Sequence, residues 1–115
     1  MRRNPDCVFC KIVAGEIPCD RLYEDDEILA FRDINPQAPF HALLIPKTHL
    51  ATLNDLEPEH AELVGRLFLV AKLLAEQHNL PAYRVVVNTN AEAGQTVFHV
   101  HMHLLAGRPL KLGLG

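Results

Sequence analysis

"TVFHVHMHLL", residues 96–105, sets three of the chain's 7 histidines at every second position, with Val100 and Met102 between them. Side chains of an extended strand alternate between two faces. The alternation therefore predicts a strand over 97–107 with His99, His101 and His103 on one face and Val100, Met102 and Leu104 on the other. The apolar set explains itself as core. A single histidine is by default a surface or satisfied core residue. Three in alternation, spaced about 7 Å apart along one face, are a poor choice for packing. They suit either a metal site or a phosphate site with one imidazole as nucleophile. A strand holds its side chains parallel, whereas metal ligands must converge on a point about 2 Å from each. A nucleophile flanked by helpers fits that geometry better. Neutral imidazole attacks phosphorus when its far nitrogen carries the proton, commonly held by a backbone carbonyl. The neighbours can then bind phosphate oxygens or protonate the leaving group.

Working outward, "AEAG" (91–94) reads as a glycine turn, with amide and hydroxyl side chains around it at Asn88, Gln95 and Thr96. Backbone amides around such a turn donate to phosphate oxygens. "YRVVVNTN" (83–90) is a β-branched strand, and "FHALLIP" (40–46) a strand apolar enough for burial on both faces. "RLYEDDEILAFRDI" (21–34) reads as two short strands joined by an acidic turn at Asp25-Asp26. "CVFCKIVAGEI" (7–17) has helical apolar spacing and ends near Gly15 and Pro18. The one long helix is expected over about Pro58 to His78. Its residues 67–71 and 73–75 are apolar nearly all round, which predicts heavy burial, partly in a dimer contact. Strands broken by one long helix point to an α+β domain with an antiparallel sheet.

At 115 residues and 49% hydrophobic, the chain fits one domain, 1–115, with one core. A net charge of −3 argues against an electrostatic nucleic-acid binder. No apolar run approaches the roughly 20 residues of a membrane span, and the start "MRRNPDCVFC" does not read as a signal peptide. A cytoplasmic location is expected. The odd count of 3 cysteines argues against a secreted disulfide framework.

"HVHMHLL" has the form of the histidine triad (HIT) superfamily signature. "YEDDEILAFRDINPQAPFHALLIPKTH" and "GQTVFHVHMHLLAGRPL" resemble its nucleotide-binding (Hint) branch, and the likeness runs from about Asp6 to Leu110. The resemblance implies a HIT-like α+β fold, with an antiparallel β-sheet, one long helix and a short N-terminal helix. It implies a homodimer that binds purine nucleoside monophosphates and hydrolyses nucleoside phosphoramidates without a catalytic cofactor. His101 stands where the family's nucleophile forms a nucleotidyl-histidine, which water then releases as the monophosphate. The resemblance places His103 and Asn88 on the α-phosphate, with Gly94, Gln95 and the Val97 amide around it. It places Thr96 near the leaving group, Asp33 on the ribose hydroxyls and His41 as a support for the nucleophile's end of the site. Phe9, Ile12, Ile17, Phe31, Ile34 and Leu43 match the apolar base pocket. The tail "LKLGLG" departs from relatives with an aromatic-containing end that shapes the leaving-group site.

Cys7 and Cys10 form a C-x-x-C pair open to redox, metal-binding or plain packing use. The lack of a βαβ pattern around it argues against redox. Two cysteines are half of a zinc site, and His49 and His99 are candidates for the other half. In relatives with this pair the resemblance implies a structural zinc on those two cysteines and two histidines. His99 is then both a member of the catalytic trio and a metal ligand. Competing functions are a purine-nucleotide-binding regulatory protein with vestigial catalysis and a diadenosine polyphosphate hydrolase; "DINPQAP" and "AGRPL" favour the phosphoramidase branch over the latter.

Overall fold

The computed structural model describes residues 2–111. Residues 112–115 of the tail "LKLGLG" lie outside the described residues. A short helix α1 (Val8–Val13) is followed by strands β1 (Arg21–Glu24), β2 (Ile28–Arg32) and β3 (Phe40–Pro46). The long helix α2 (Ala61–Gln77) precedes β4 (Tyr83–Val86) and β5 (Met102–Ala106). The five strands form one antiparallel sheet in the order β1-β2-β3-β5-β4. No helix among the described residues is long and apolar enough to cross a membrane.

The β1–β2 turn forms at Asp25-Asp26 because the Asp25 carboxylate accepts the backbone N–H groups of Glu27 and Ile28, both at 2.8 Å. All seven residues of β3 are buried, as expected of a central strand covered on both faces. One face carries Ala42, Leu44, Met102 and Leu104 into a core with α2. The helix presents Leu63, Leu67, Val70, Ala71 and Leu74 to them at helical spacing. The opposite face carries Leu29, Phe31, Leu43 and Ile45 against Phe9 and Ile12 of α1. The cross-strand register sets His103 opposite Leu43, so that histidine points to the α1 side.

Three expectations need correction. β5 begins at Met102, not near Val97, because the preceding segment turns away from the sheet. There Val100 N–H donates to the Leu50 carbonyl at 2.7 Å, tying residues 99–101 to the loop after β3. β4 correspondingly ends at Val86, whose partner His103 is almost the last residue the departing chain leaves to pair with. Finally, α2 starts one turn later than expected, after a 3₁₀ turn at Pro58–His60, and it is not buried all round. Phe68 is 52% and Leu69 65% exposed, and Leu73 is partly so.

Candidate active site and metal centre

Between α1 and the sheet lies a cavity of about 330 Å³. Its apolar walls are Phe9, Ile12, Ile17, Phe31 and Leu43, with the 92%-exposed Ile34 at its mouth. Asp33, Thr96, His101 and His103 supply the polar side, and Val97 lines the cavity beside them. Eleven of the residues singled out in the sequence therefore share one wall system. Val8, Pro18, Cys19, Arg32 and Asn35 also line it. Sequence reasoning missed these five; only the helical repeat that exposes Val8 beside Ile12 offered a signal.

Hydrogen bonds fix the protonation pattern of the histidines. His101 sits in the irregular segment and bonds through Nδ1 to the carbonyl of His99 at 2.8 Å. A carbonyl only accepts, so Nδ1 carries the proton and the lone pair is on Nε2. Burial pushes the pKa of His101 down, with the His99 carbonyl opposing, and the ring is kept neutral. Phe9 packs edge-on against it, ring centroids 5.2 Å apart.

His41, on β3, accepts the Gln37 N–H at Nδ1 (3.0 Å). Its proton is consequently on Nε2, which lies 2.9 Å from His103 Nδ1 and 3.4 Å from Asp33 Oδ2. Burial lowers the His41 pKa, against the electrostatic pull of Asp33, so the ring is neutral and its one Nε2–H goes to His103. His103 accepts at Nδ1 and keeps its own proton on Nε2 as a donor for a ligand. Desolvation, and then the neighbouring His101 and His41, lower its pKa to about 4. The chain from the Gln37 amide through His41 to His103 sets His103 as a neutral donor beside a neutral acceptor at His101. His41 thus supports His103 rather than His101 directly.

Asn88, Gly94 and Gln95 do not line the cavity; they build the loop beside it. The Gln95 side chain is buried, donating to the carbonyls of Ala51 (2.7 Å) and Val97 (3.1 Å) and accepting the Asn90 N–H (2.7 Å). Its amide group is committed to holding this loop. Gly94 has φ of 105°, a left-handed conformation natural to glycine, and a Cβ there would lie 3.6 Å from Asn88 Nδ2.

His99 leaves the trio. It is fully buried and turned toward Cys7, Cys10 and His49. Cys7 caps the N-terminus of α1 and Cys10 is one turn on, so both sulfurs face the same spot. The His99 Nδ1 lies 3.3 Å from Cys7 Sγ, 3.6 Å from Cys10 Sγ and 3.3 Å from His49 Nδ1, with Cys10 Sγ 3.4 Å from His49 Nδ1. For metal–sulfur and metal–nitrogen bonds of about 2.3 and 2.05 Å, a tetrahedron has edges near 3.55 Å for S–N and 3.35 Å for N–N. The observed separations fit those edges. His99 Nε2 donates to the Pro46 carbonyl at 2.7 Å, which leaves the Nδ1 lone pair pointing into the cluster. Burial lowers its pKa to about 4, keeping that lone pair free of a proton.

Fold and cavity together define a protein that presents one bare imidazole nitrogen and one imidazole N–H to a cavity between a helix and a sheet. The HIT domain model matches residues 14–110, and the chain belongs to that family. It is 50% identical over 107 residues to the purine nucleoside phosphoramidase of Escherichia coli (strain K12), covering 91% of this chain and 90% of that protein. It is 46% identical over 108 residues to a 14 kDa zinc-binding protein of Brassica juncea, covering 91% and 96%. The crystal structure of a HIT family hydrolase from Legionella pneumophila Philadelphia 1 matches with TM-score 0.93 and 49% identity, over 96% of this chain and 100% of that one.

Proposed function

We propose that this protein hydrolyses purine nucleoside phosphoramidates, releasing the nucleoside monophosphate and an amine. The observation that carries the proposal is the bond from His101 Nδ1 to the His99 carbonyl, which aims an unprotonated Nε2 at the cavity. The similarity to the Escherichia coli phosphoramidase supports the same substrate class. The base packs against Phe9, Ile12, Ile17, Phe31, Ile34 and Leu43, and Asp33 accepts from the ribose hydroxyls.

His101 Nε2 attacks phosphorus, forming a P–N bond as the bond to the substrate amine breaks. The departing amine takes the electron pair and a proton relayed from solvent by the Thr96 hydroxyl, and the proton that the attacking water loses in the next step returns to solvent. The His103 Nε2–H and the amides of the 94–97 loop, which Asn88 and Gln95 shape, bind the phosphoryl oxygens. The imidazolium formed on His101 is steadied by the His99 carbonyl. Water then attacks phosphorus from the vacated side, releasing the monophosphate and restoring the neutral ring.

Cys7, Cys10, His49 and His99 would hold a zinc ion, as supported by their separations and by the zinc-binding relative. Bound there, zinc serves structure, since four protein ligands leave no open position for substrate. The exposed Phe68, Leu69 and Leu73 of α2 support the homodimer as the natural assembly.

Incubation with adenosine 5′-phosphoramidate, followed by a denaturing quench at alkaline pH, where a phosphorus–imidazole bond survives, and peptide mapping, tests the chemistry. An adenylyl group on His101, and its loss together with turnover in His101→Gly, is the expected result. Adenylylation at His103, or undiminished turnover in the variant, refutes it. Retained AMP binding with no turnover in the unmodified protein favours the regulatory nucleotide-binding alternative.

A further inference from the structure

The four-ligand cluster and the cavity share a wall. Cys7 and Cys10 bracket Phe9 in sequence, so the helix that brings both thiols to the cluster turns Phe9 into the cavity. The Phe9 ring stands edge-on to both His99 (5.9 Å) and His101 (5.2 Å). A second link is covalent: the His99 whose ring belongs to the cluster offers the carbonyl that orients His101.

Resting on the nucleotide and zinc readings above, we propose that a divalent cation on Cys7, Cys10, His49 and His99 and a purine nucleotide in the cavity strengthen one another's binding, through α1 and the His99 backbone. α1 is 6 residues long, far too short to hold its shape alone. Its first turn depends on what Cys7 and Cys10 hold. Without an ion, the Nδ1 atoms of His99 and His49 lie 3.3 Å apart, and one imidazole proton of His49 and the weakly donating thiols are all that can link the four groups. With an ion, both thiolates and both rings are drawn to one centre, and the first turn is clamped to the end of β3 and to residues 99–101. A base stacking on Phe9 then meets a wall already ordered. Without the ion, the nucleotide must order α1 as it binds, and its affinity falls accordingly. Linkage makes the effect reciprocal.

The test uses the full chain stripped by a chelator, or loaded with one equivalent of zinc, titrated with AMP by calorimetry at neutral pH. The zinc-loaded form is expected to bind AMP at least about fivefold more tightly. Zinc affinity, read by competition with a chelating dye, should rise by the same factor at saturating AMP. Cys10→Ser should bind AMP at the stripped protein's affinity whether or not zinc is added. Phe9→Ala, which keeps all four ligands, should still bind zinc but lower both ratios, leaving only the share that passes through the His99 backbone; ratios unchanged from the parent overturn the role of α1. Amide exchange over 8–13 should be faster in the stripped protein. Equal AMP affinity in the two forms overturns the coupling and leaves the nucleotide reading standing. AMP binding to neither form overturns that reading and the coupling with it. Failure of zinc to bind, or collapse of the whole sheet on stripping, also overturns the coupling.

Discussion

Lowering the pH should leave His103 uncharged long after an ordinary histidine has taken up its proton. Burial, together with His101 and His41 on either side, holds its pKa at about 4, with only the Asp33 carboxylate pulling the other way. At about pH 5 roughly one ring in ten is then protonated, against nearly all for an exposed histidine of pKa about 6.5. A folded pKa below the unfolded one means that the unfolded chain binds more protons as pH falls. The stabilisation is thus complete above about 6.5 and is lost as pH drops from there through about 4, by at most about 3 kcal/mol for this ring. The assay is an NMR titration of the His103 ring resonances, paired with denaturant unfolding of the unmodified protein and His103→Gln at each pH. The variant should lose less stability than the parent across that interval, because its side chain does not titrate. A His103 midpoint near 6.5, or parallel stability curves for the two proteins, refutes the account of the buried imidazole cluster.

Other outcomes follow from single positions. Gly107 has φ of 104° and a Cβ there would sit 2.8 Å from Pro39 Cβ, so Gly107→Ala should cost at least about 1–2 kcal/mol in chemical denaturation. Leu44, fully buried between β2, β5 and α2, should cost about 3–5 kcal/mol as Leu44→Ala, also by denaturation. Gln95→Ala removes three hydrogen bonds of the 90–97 loop; it should weaken AMP binding in calorimetry and lower stability by about 1–3 kcal/mol. Phe68→Glu with Leu69→Glu should shift the mass measured by light scattering from dimer to monomer, since both side chains leave the core untouched.

Period, turn chemistry and composition were enough to place β1, β2, β3, the short helix, the body of α2 and the cavity side of His103. Each depends on residues close in sequence: the Asp25 turn, the seven-residue apolar run of β3, the stripe from Leu63 to Leu74. The HIT signature added the cavity's members, because a motif carries the outcome of folding with it. Local pattern misled where a neighbour distant in sequence decided the outcome. The alternation of 97–107 continues through residues whose backbone bonds to Leu50 instead of a strand, so the strand is shorter than its pattern. The apolar count of α2 reads the same whether Phe68 and Leu69 meet the sheet or the outside.

The sequence by itself determined that two thiols lie one helical turn apart and that His103 faces away from Met102 and Leu104, since the regular geometry of a helix or a strand translates such spacings into direction. Only the tertiary structure decided what each imidazole does. It turned His99 to Cys7, 92 residues away, and set His41 against His103 across 62 residues. A proton's place on a ring depends on which donor or acceptor stands within hydrogen-bond distance of each nitrogen. That is settled when the chain closes on itself, not by the order of its residues.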